Sequence, residues 1–272
     1  MCRPASSDPI RSGNGLTEPD DRDAVAWRSS ISRSARAGLL VVCVAALTLA
    51  GCGSIGPGRS ASGKTASKQL NTAGVTRLEV GSAFDVRVTL GQPETATVTY
   101  DDKLADLLDV GVDSGTLRIQ LKPHATVRNR PTLRAAVTVA RLEGIQAAGA
   151  SAVTVSGRLQ ASGLRLEVSG ASRIAAELGL DRANATVSGA SHLALSGTAG
   201  TLTVVASGAS GLDLADLSLH DLDVQLSGAS HASVQVDQTI AAQLSGASTL
   251  TYKGNPQFTK RDTSGASTIQ PA

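Results

Sequence analysis

The stretch LRLEVSGASRIAAELGLDRANATVSGASHLAL, residues 164–195, decides the fold. Counting back from Gly170, the residues at minus six, minus four and minus two are Leu164, Leu166 and Val168; counting forward, plus four and plus six are Ile174 and Ala176. From Gly189 the same positions are Ala183, Ala185 and Val187, then Leu193 and Leu195. Arg165, Glu167, Asn184 and Thr186 fill the alternate places. Period-two alternation on both sides of a Gly-containing corner predicts two short strands per unit, each with one face inward and one outward.

Working outward, Gly-Ala-Ser recurs with its glycine at Gly149, Gly170, Gly189, Gly208, Gly228, Gly246 and Gly265, at spacings of 21, 19, 19, 20, 18 and 19. No unit has room for a crossover helix, so successive units must stack as parallel strands about 4.8 Å apart. The expected fold is all-β: a parallel β-helix or β-solenoid of about 19-residue, two-strand repeats with Ser-Gly-Ala-Ser corners, each unit burying its apolar face against its neighbours. The seven glycines read as structural corner residues, where positive φ or close approach excludes a Cβ. The serine two places on recurs from Ser151 to Ser267, and its hydroxyls are expected to satisfy corner backbone groups. No His or acid recurs beside it at fixed offset, so the column is not a set of nucleophiles. Thr259, Arg261 and Thr263 occupy core positions in the last unit and predict a blunted open end.

The remainder of the 272 residues bounds the function. There are 25 Lys plus Arg against 23 Asp plus Glu, a net charge of +2, and 2% aromatic residues. Such a chain cannot neutralise many phosphates and offers few stacking platforms, which argues against nucleic acid as a partner and against an aromatic-lined cleft. No pattern calls for a cofactor or a metal.

The amino terminus reads as an address. Residues 37–51, AGLLVVCVAALTLAG, are apolar, follow Arg28, Arg33 and Arg36, and end at Leu49-Ala50-Gly51-Cys52, which resembles the lipobox of bacterial lipoproteins. Small residues before the cysteine suit a signal peptidase, and the Cys52 thiol takes a diacylglyceryl group, so the expected mature chain begins at a lipidated Cys52 held at a membrane outside the cytoplasm. Residues 1–51 are the signal region; the acidic prelude 1–24 points to translation starting near Val25. Cys2 and Cys43 fall in removed sequence, leaving no disulfide or cysteine-ligated zinc. Residues 52–70, rich in Gly, Ser and Lys, read as a flexible tether. Residues 71–272 form a single domain: an irregular β cap over 71–142, with a short helical turn near Lys103 to Leu108, and regular repeats over 143–272.

Gly81-Ser82-Ala83-Phe84-Asp85-Val86-Arg87-Val88, Gly115-Thr116-Leu117-Arg118-Ile119, Leu142-Glu143-Gly144-Ile145 and the Ser-Gly-Ala-Ser series together resemble the auto-transporter adhesin head domain family called GIN, over roughly residues 75–267. The resemblance implies a β-solenoid of bacterial envelope and surface proteins and brings no catalytic residues. No translocator barrel pattern follows the repeats.

Three clusters are candidate sites. Asp213, Asp216, Asp221 and Asp223 lie in a span, Ala183 to Tyr252, without Lys or Arg, and predict an acidic surface, although the nine-residue repeat of calcium-binding β-rolls is absent. His192 and His231 fall two units apart, about 10 Å by strand spacing, too far to share a metal. Arg128, Arg130, Arg134 and Arg141 form a modest basic cluster near the first end. The expected function is a lipid-anchored, non-enzymatic solenoid for adhesion or binding to envelope or surface polysaccharide or protein. The alternatives are a structural or regulatory envelope lipoprotein without its own ligand, and a β-helix enzyme acting on polysaccharide.

Overall fold

The computed structural model describes residues 58–272; Cys52 and the signal region lie outside them. Four strands open the described chain: β1 (Arg59–Ser60), β2 (Thr65–Asn71), β3 (Arg77–Val80) and β4 (Asp85–Leu90). β5 (Thr95–Asp101), a 3-10 turn (Asp102–Leu107), β6 (Leu108–Asp113), β7 (Thr116–Leu121), β8 (Val127–Arg128) and β9 (Leu133–Val139) complete the cap. The repeats follow as β10 (Gly144–Ala147), β11 (Ala152–Leu159), β12 (Leu164–Val168), β13 (Arg173–Val187), β14 (His192–Ala206), β15 (Gly211–Leu226), β16 (His231–Leu244), β17 (Thr249–Lys253), β18 (Gln257–Thr263) and β19 (Thr268–Pro271).

The repeats coil as a β-solenoid with every strand parallel to the one beneath. On the first face the ladder climbs from β3 through β10 and β12 to the second halves of β13, β14, β15 and β16, ending on β18. On the second face it climbs from β4 through β11 and the first halves of β13 to β16, ending on β17 and β19. In the middle coils one strand runs from each Ser-Gly-Ala-Ser corner to the next without a break, so the second bend of each coil is absorbed inside a long strand.

The alternation sets what is inside. Leu202, Val204, Ala206, Leu222, Val224 and Leu226 are all buried, and their coils join one continuous core of small and aliphatic side chains. Burying each such Leu or Val relative to solvent is worth about 1.5–3 kcal/mol. Among the described residues large rings stand near the two ends: Phe84 in the first corner, fully buried, with Tyr100 in the cap, and Tyr252 against Phe258 at the far end, with ring centroids 5.3 Å apart.

Two sequence expectations need correction. Residues 65–70, read as tether, form most of β2, which pairs antiparallel with β5; Leu70 turns toward the core and the backbone of 65–71 completes an edge. The cap extends the stack as well as closing it: β3, Gly81-Ser82-Ala83-Phe84 and β4 make one more parallel coil beneath the seven, and β7 and β9 stack on its other side. Antiparallel β6 closes the first face there, and β5 with β2 closes the second. At the far end a bulge between Ile240 and Ala241 on the partner ladder sets Phe258 opposite Ile240 and leaves Thr259 out of the core. Arg261 then folds over the end, its guanidinium 5.1 Å from the Phe258 ring centroid and donating to the Ile269 carbonyl at 3.1 Å.

Candidate functional site

The corner column is built from glycine geometry. Gly208 has φ of +80°, and a Cβ there would stand 2.5 Å from the Gly189 carbonyl oxygen of the coil beneath. That carbonyl accepts the Ala209 N–H at 2.8 Å, and the Gly208 carbonyl accepts the Ala229 N–H at 2.8 Å, so the corners form a tight backbone ladder of their own. Gly170, Gly189, Gly228, Gly246 and Gly265 share the conformation and the close approach; Gly149, the first of the series, has the positive φ and a less severe approach, a Cβ there standing 3.3 Å from the Ser82 nitrogen.

The serine after each corner points inward. Ser151, Ser172, Ser191, Ser210, Ser230 and Ser248 are buried. The hydroxyls of Ser210, Ser230 and Ser248 donate to the carbonyls of Ser207, Ser227 and Ser245 three residues back, at 2.7 to 2.9 Å. Each is held by the backbone of its own corner and none faces an acid or a histidine, which makes the column structural. Ser191 Oγ is buried with no partner among the described residues.

The four aspartates do not share a face. All lie on β15, but Asp213 projects from the second face, Asp216 stands near the bend, and Asp221 and Asp223 lie on the first face. They wrap round one coil because the strand carrying them passes through the bend. Asp221 accepts the Thr239 hydroxyl at 2.6 Å. Asp213 and Asp216 meet Glu177, which sequence reading missed, across Ser196 in an open groove of about 280 Å³. Glu177 was hidden because it lies two coils away in sequence; the register Glu177 to Ser196 to Asp216 brings it near. Among the described residues no three His, Cys, Asp or Glu converge to hold a metal ion.

The histidines are exposed, with Gly211 between them in the ladder. The His192 ring leans over the gap, where a Gly211 Cβ would come within 2.7 Å of its Nδ1. The arginines separate: Arg128 and Arg130 lie beside the cap's crossover, Arg134 begins β9, and Arg141 follows the other end of that strand and pairs with Glu143 at 3.6 Å. The length of β9 separates the last two, so the cluster predicted from sequence proximity is two groups.

A second groove, of about 380 Å³, runs along the first face beside the corners, lined by Val205, Gln225, Gln243 and Asp262 with Ser227, Ser245 and Ser264. Val205 is 41% exposed, one of few large apolar side chains left open. Here hydroxyl and amide groups repeat at strand spacing, about 4.8 Å.

The most elaborate polar site joins the start of the described chain to the cap. Asp101 is buried, which opposes ionisation, yet the N–H groups of Ser62 and Gly63, the Ser62 hydroxyl and the Lys103 N–H all donate to its carboxylate and hold its pKa below the usual value. Arg59 adds a bidentate pair with Asp106 at 2.6 and 2.7 Å. On the first face, the Glu79 carboxylate accepts from Arg118 at 3.1 Å and raises the arginine's pKa. No helix among the described residues is long and apolar enough to cross a membrane.

Wound parallel coils, a capped first end and shallow open grooves define a β-solenoid domain by architecture. The chain belongs to the family described as "Putative auto-transporter adhesin, head GIN domain", whose model matches residues 74–256. Comparison with curated proteins finds no relative of the chain. Among solved structures, a putative adhesin from Bacteroides fragilis NCTC 9343 is similar at 20% identity with a TM-score of 0.74, over 79% of this chain and 100% of that one. A putative adhesin from Parabacteroides merdae ATCC 43184 is similar at 15% identity and TM-score 0.63, over 78% and 98%. A putative lipid binding protein from Parabacteroides distasonis ATCC 8503 is similar at 16% identity and TM-score 0.62, over the same shares. At these identities the likeness is one of fold, and it agrees with the all-β solenoid read from the sequence. The family and these neighbours are named as adhesins or binding proteins rather than as enzymes.

Proposed function

We propose that the chain is a lipid-anchored, extracytoplasmic, non-enzymatic solenoid that binds a repeating polymer of the envelope or of a surface. The observation that carries this reading is the first-face groove, where Gln225, Gln243 and the Ser227, Ser245 and Ser264 column stack in register. Side-chain amides and hydroxyls at a constant spacing complement a ligand that itself repeats hydroxyl or amide groups, and an open groove admits a chain without requiring its end. Membership of a family described as adhesin heads supports the same reading, and the lipobox at Cys52 supports display from a membrane.

The test is retention of the chain from Cys52 onward on isolated cell walls, envelope polysaccharides and matrix glycoproteins, at two salt concentrations. Starting at residue 71 would delete β2 and the Asp101 attachment. Saturable retention on one polymer, weakened by Gln225→Ala with Gln243→Ala, is the expected result. Retention that instead vanishes with Asp213, Asp216, Asp221 and Asp223 changed to Asn would move the site to the acidic coil. No retention on any polymer would overturn the binding reading in favour of a structural or regulatory envelope role.

A further inference from the structure

The cap gathers three crossing segments on the Ser-Gly-Ala-Ser side of the first coil: 58–64, the 3-10 turn 102–107, and 122–130. β1 pairs β8, the Arg59 N–H donates to the Thr126 carbonyl at 3.0 Å, and the Asp102 N–H donates to the Lys64 carbonyl at 2.9 Å. With the Arg59–Asp106 pair and the Asp101 carboxylate, these contacts fasten the chain to the cap from Gly58 onward.

Two consequences follow. The first concerns reach: Cys52 precedes Gly58 by six residues, and six residues span at most about 20 Å even fully extended. The tether expected to run to residue 70 is therefore short, and a membrane holding Cys52 lies close to this cap. The second concerns charge. Lys64, Lys103, Lys122, Arg128 and Arg130 are exposed on these segments and make no ion pair among the described residues. Of the local acids only Asp106 is ion-paired, with Arg59, while Asp101 and Asp102 keep their charge on neutral donors; with Asp101, the three segments carry six Lys and Arg against three Asp. Over residues 58–142 twelve Lys and Arg face eight Asp and Glu, whereas residues 183–252 carry five Asp and no Lys or Arg. The cap, where the chain leaves for Cys52, is thus basic and the middle coils are acidic, while the last residues, 253–272, carry Lys253, Lys260 and Arg261 against Asp262.

We propose that the cap is a membrane-docking surface, in which Lys103, Lys122, Arg128 and Arg130 rest on anionic lipid headgroups and the coils stand away from the bilayer. The inference rests on the lipid-anchor reading of Cys52. Basic side chains attract an anionic surface only within about a Debye length, 8 Å at physiological ionic strength, and a span of at most about 20 Å to Cys52 keeps the cap near enough to settle into that range. The acidic coils are repelled by the same surface, so the arrangement keeps the polymer groove of the far coils, lined by Gln243 and Asp262, open to solvent.

The experiment uses the full chain, processed in a bacterial host, purified from membranes and placed in phosphatidylcholine vesicles with and without phosphatidylglycerol. With Cys2 and Cys43 removed and Cys52 lipidated, Ala105→Cys in the cap or Gln270→Cys at the far end is the sole free thiol and takes a fluorophore. The expected result is stronger quenching by headgroup-labelled lipid at 105 than at 270 in phosphatidylglycerol vesicles, lost at high salt. The difference is also lost when Lys103, Lys122, Arg128 and Arg130 are changed to Glu, with the melting temperature unchanged. Equal quenching at the two positions, or a difference that survives charge reversal, overturns the docking surface on a chain whose mass shows the Cys52 lipid. Absence of that lipid overturns the anchor reading, and the docking arrangement with it.

Discussion

Replacing Gly208 by valine should unfold the corner ladder, and its cost can be worked from the geometry. The residue sits at φ +80°, where a side chain costs about 1–2 kcal/mol and a β-branched one lies at the upper end. The new Cβ would begin 2.5 Å from the Gly189 oxygen. Restoring ordinary contact opens the corner by about 0.9 Å and breaks the 2.8 Å bond from the Ala209 N–H to that oxygen, costing about 1 kcal/mol more. The sum is about 3 kcal/mol before the two γ methyls are accommodated, and at 2–4 °C per kcal/mol for a domain of this size the melting temperature should fall by about 6–12 °C. Gly208→Ala isolates the Cβ and should show most of the loss. Asp213→Asn, on an exposed side chain, should stay within about 0.5 kcal/mol. Thermal and urea melts of the three variants decide the matter. Equal midpoints for Gly208→Val and Asp213→Asn would refute the corner register.

Other perturbations separate the remaining parts. Ser230→Ala removes a buried donor to the Ser227 carbonyl and should cost about 1 kcal/mol, whereas Ser191→Ala should be neutral or stabilising because Ser191 Oγ has no partner; paired urea melts distinguish them. Leu222→Ala, in the core of the acidic coil, should cost about 2–5 kcal/mol by the same assay. Asp101 has a depressed folded pKa, so the attachment it supports is complete above the unfolded value of about 3.9 and is lost as pH falls through the lower folded value. Protection of the Ser62 and Gly63 amides, measured against their intrinsic exchange rate at each pH, should therefore be high at neutral pH and lost in acid, and low throughout in Asp101→Asn; high protection in that variant would show that Arg59 and β1 hold the segment without the carboxylate.

The coils were legible in the sequence because each one repeats its own phase: Leu164, Ala183, Leu202 and Leu222 announce the same inward position four times, and a ladder has only to add them. The cap was less legible since its pairings are long-range and antiparallel. Nothing local in Thr65–Asn71 says that β5 lies beside it, and its exposed Thr, Ser and Lys look like linker. Distance along the chain also misled where strands are long. Asp213 and Asp223 are near in sequence yet lie on two faces, and Arg134 and Arg141 flank one strand. The Asp101 site left no signal at all, because backbone donors from 62 and 63 have no side-chain signature.

The central claim is that this solenoid is displayed from a membrane through Cys52. Mass spectrometry of the amino-terminal peptide of the membrane-purified protein tests it most directly. The account predicts a peptide beginning at Cys52 and carrying a diacylglyceryl thioether, lost in Cys52→Ser. A chain that begins elsewhere, or a Cys52 with a free thiol, would contradict it.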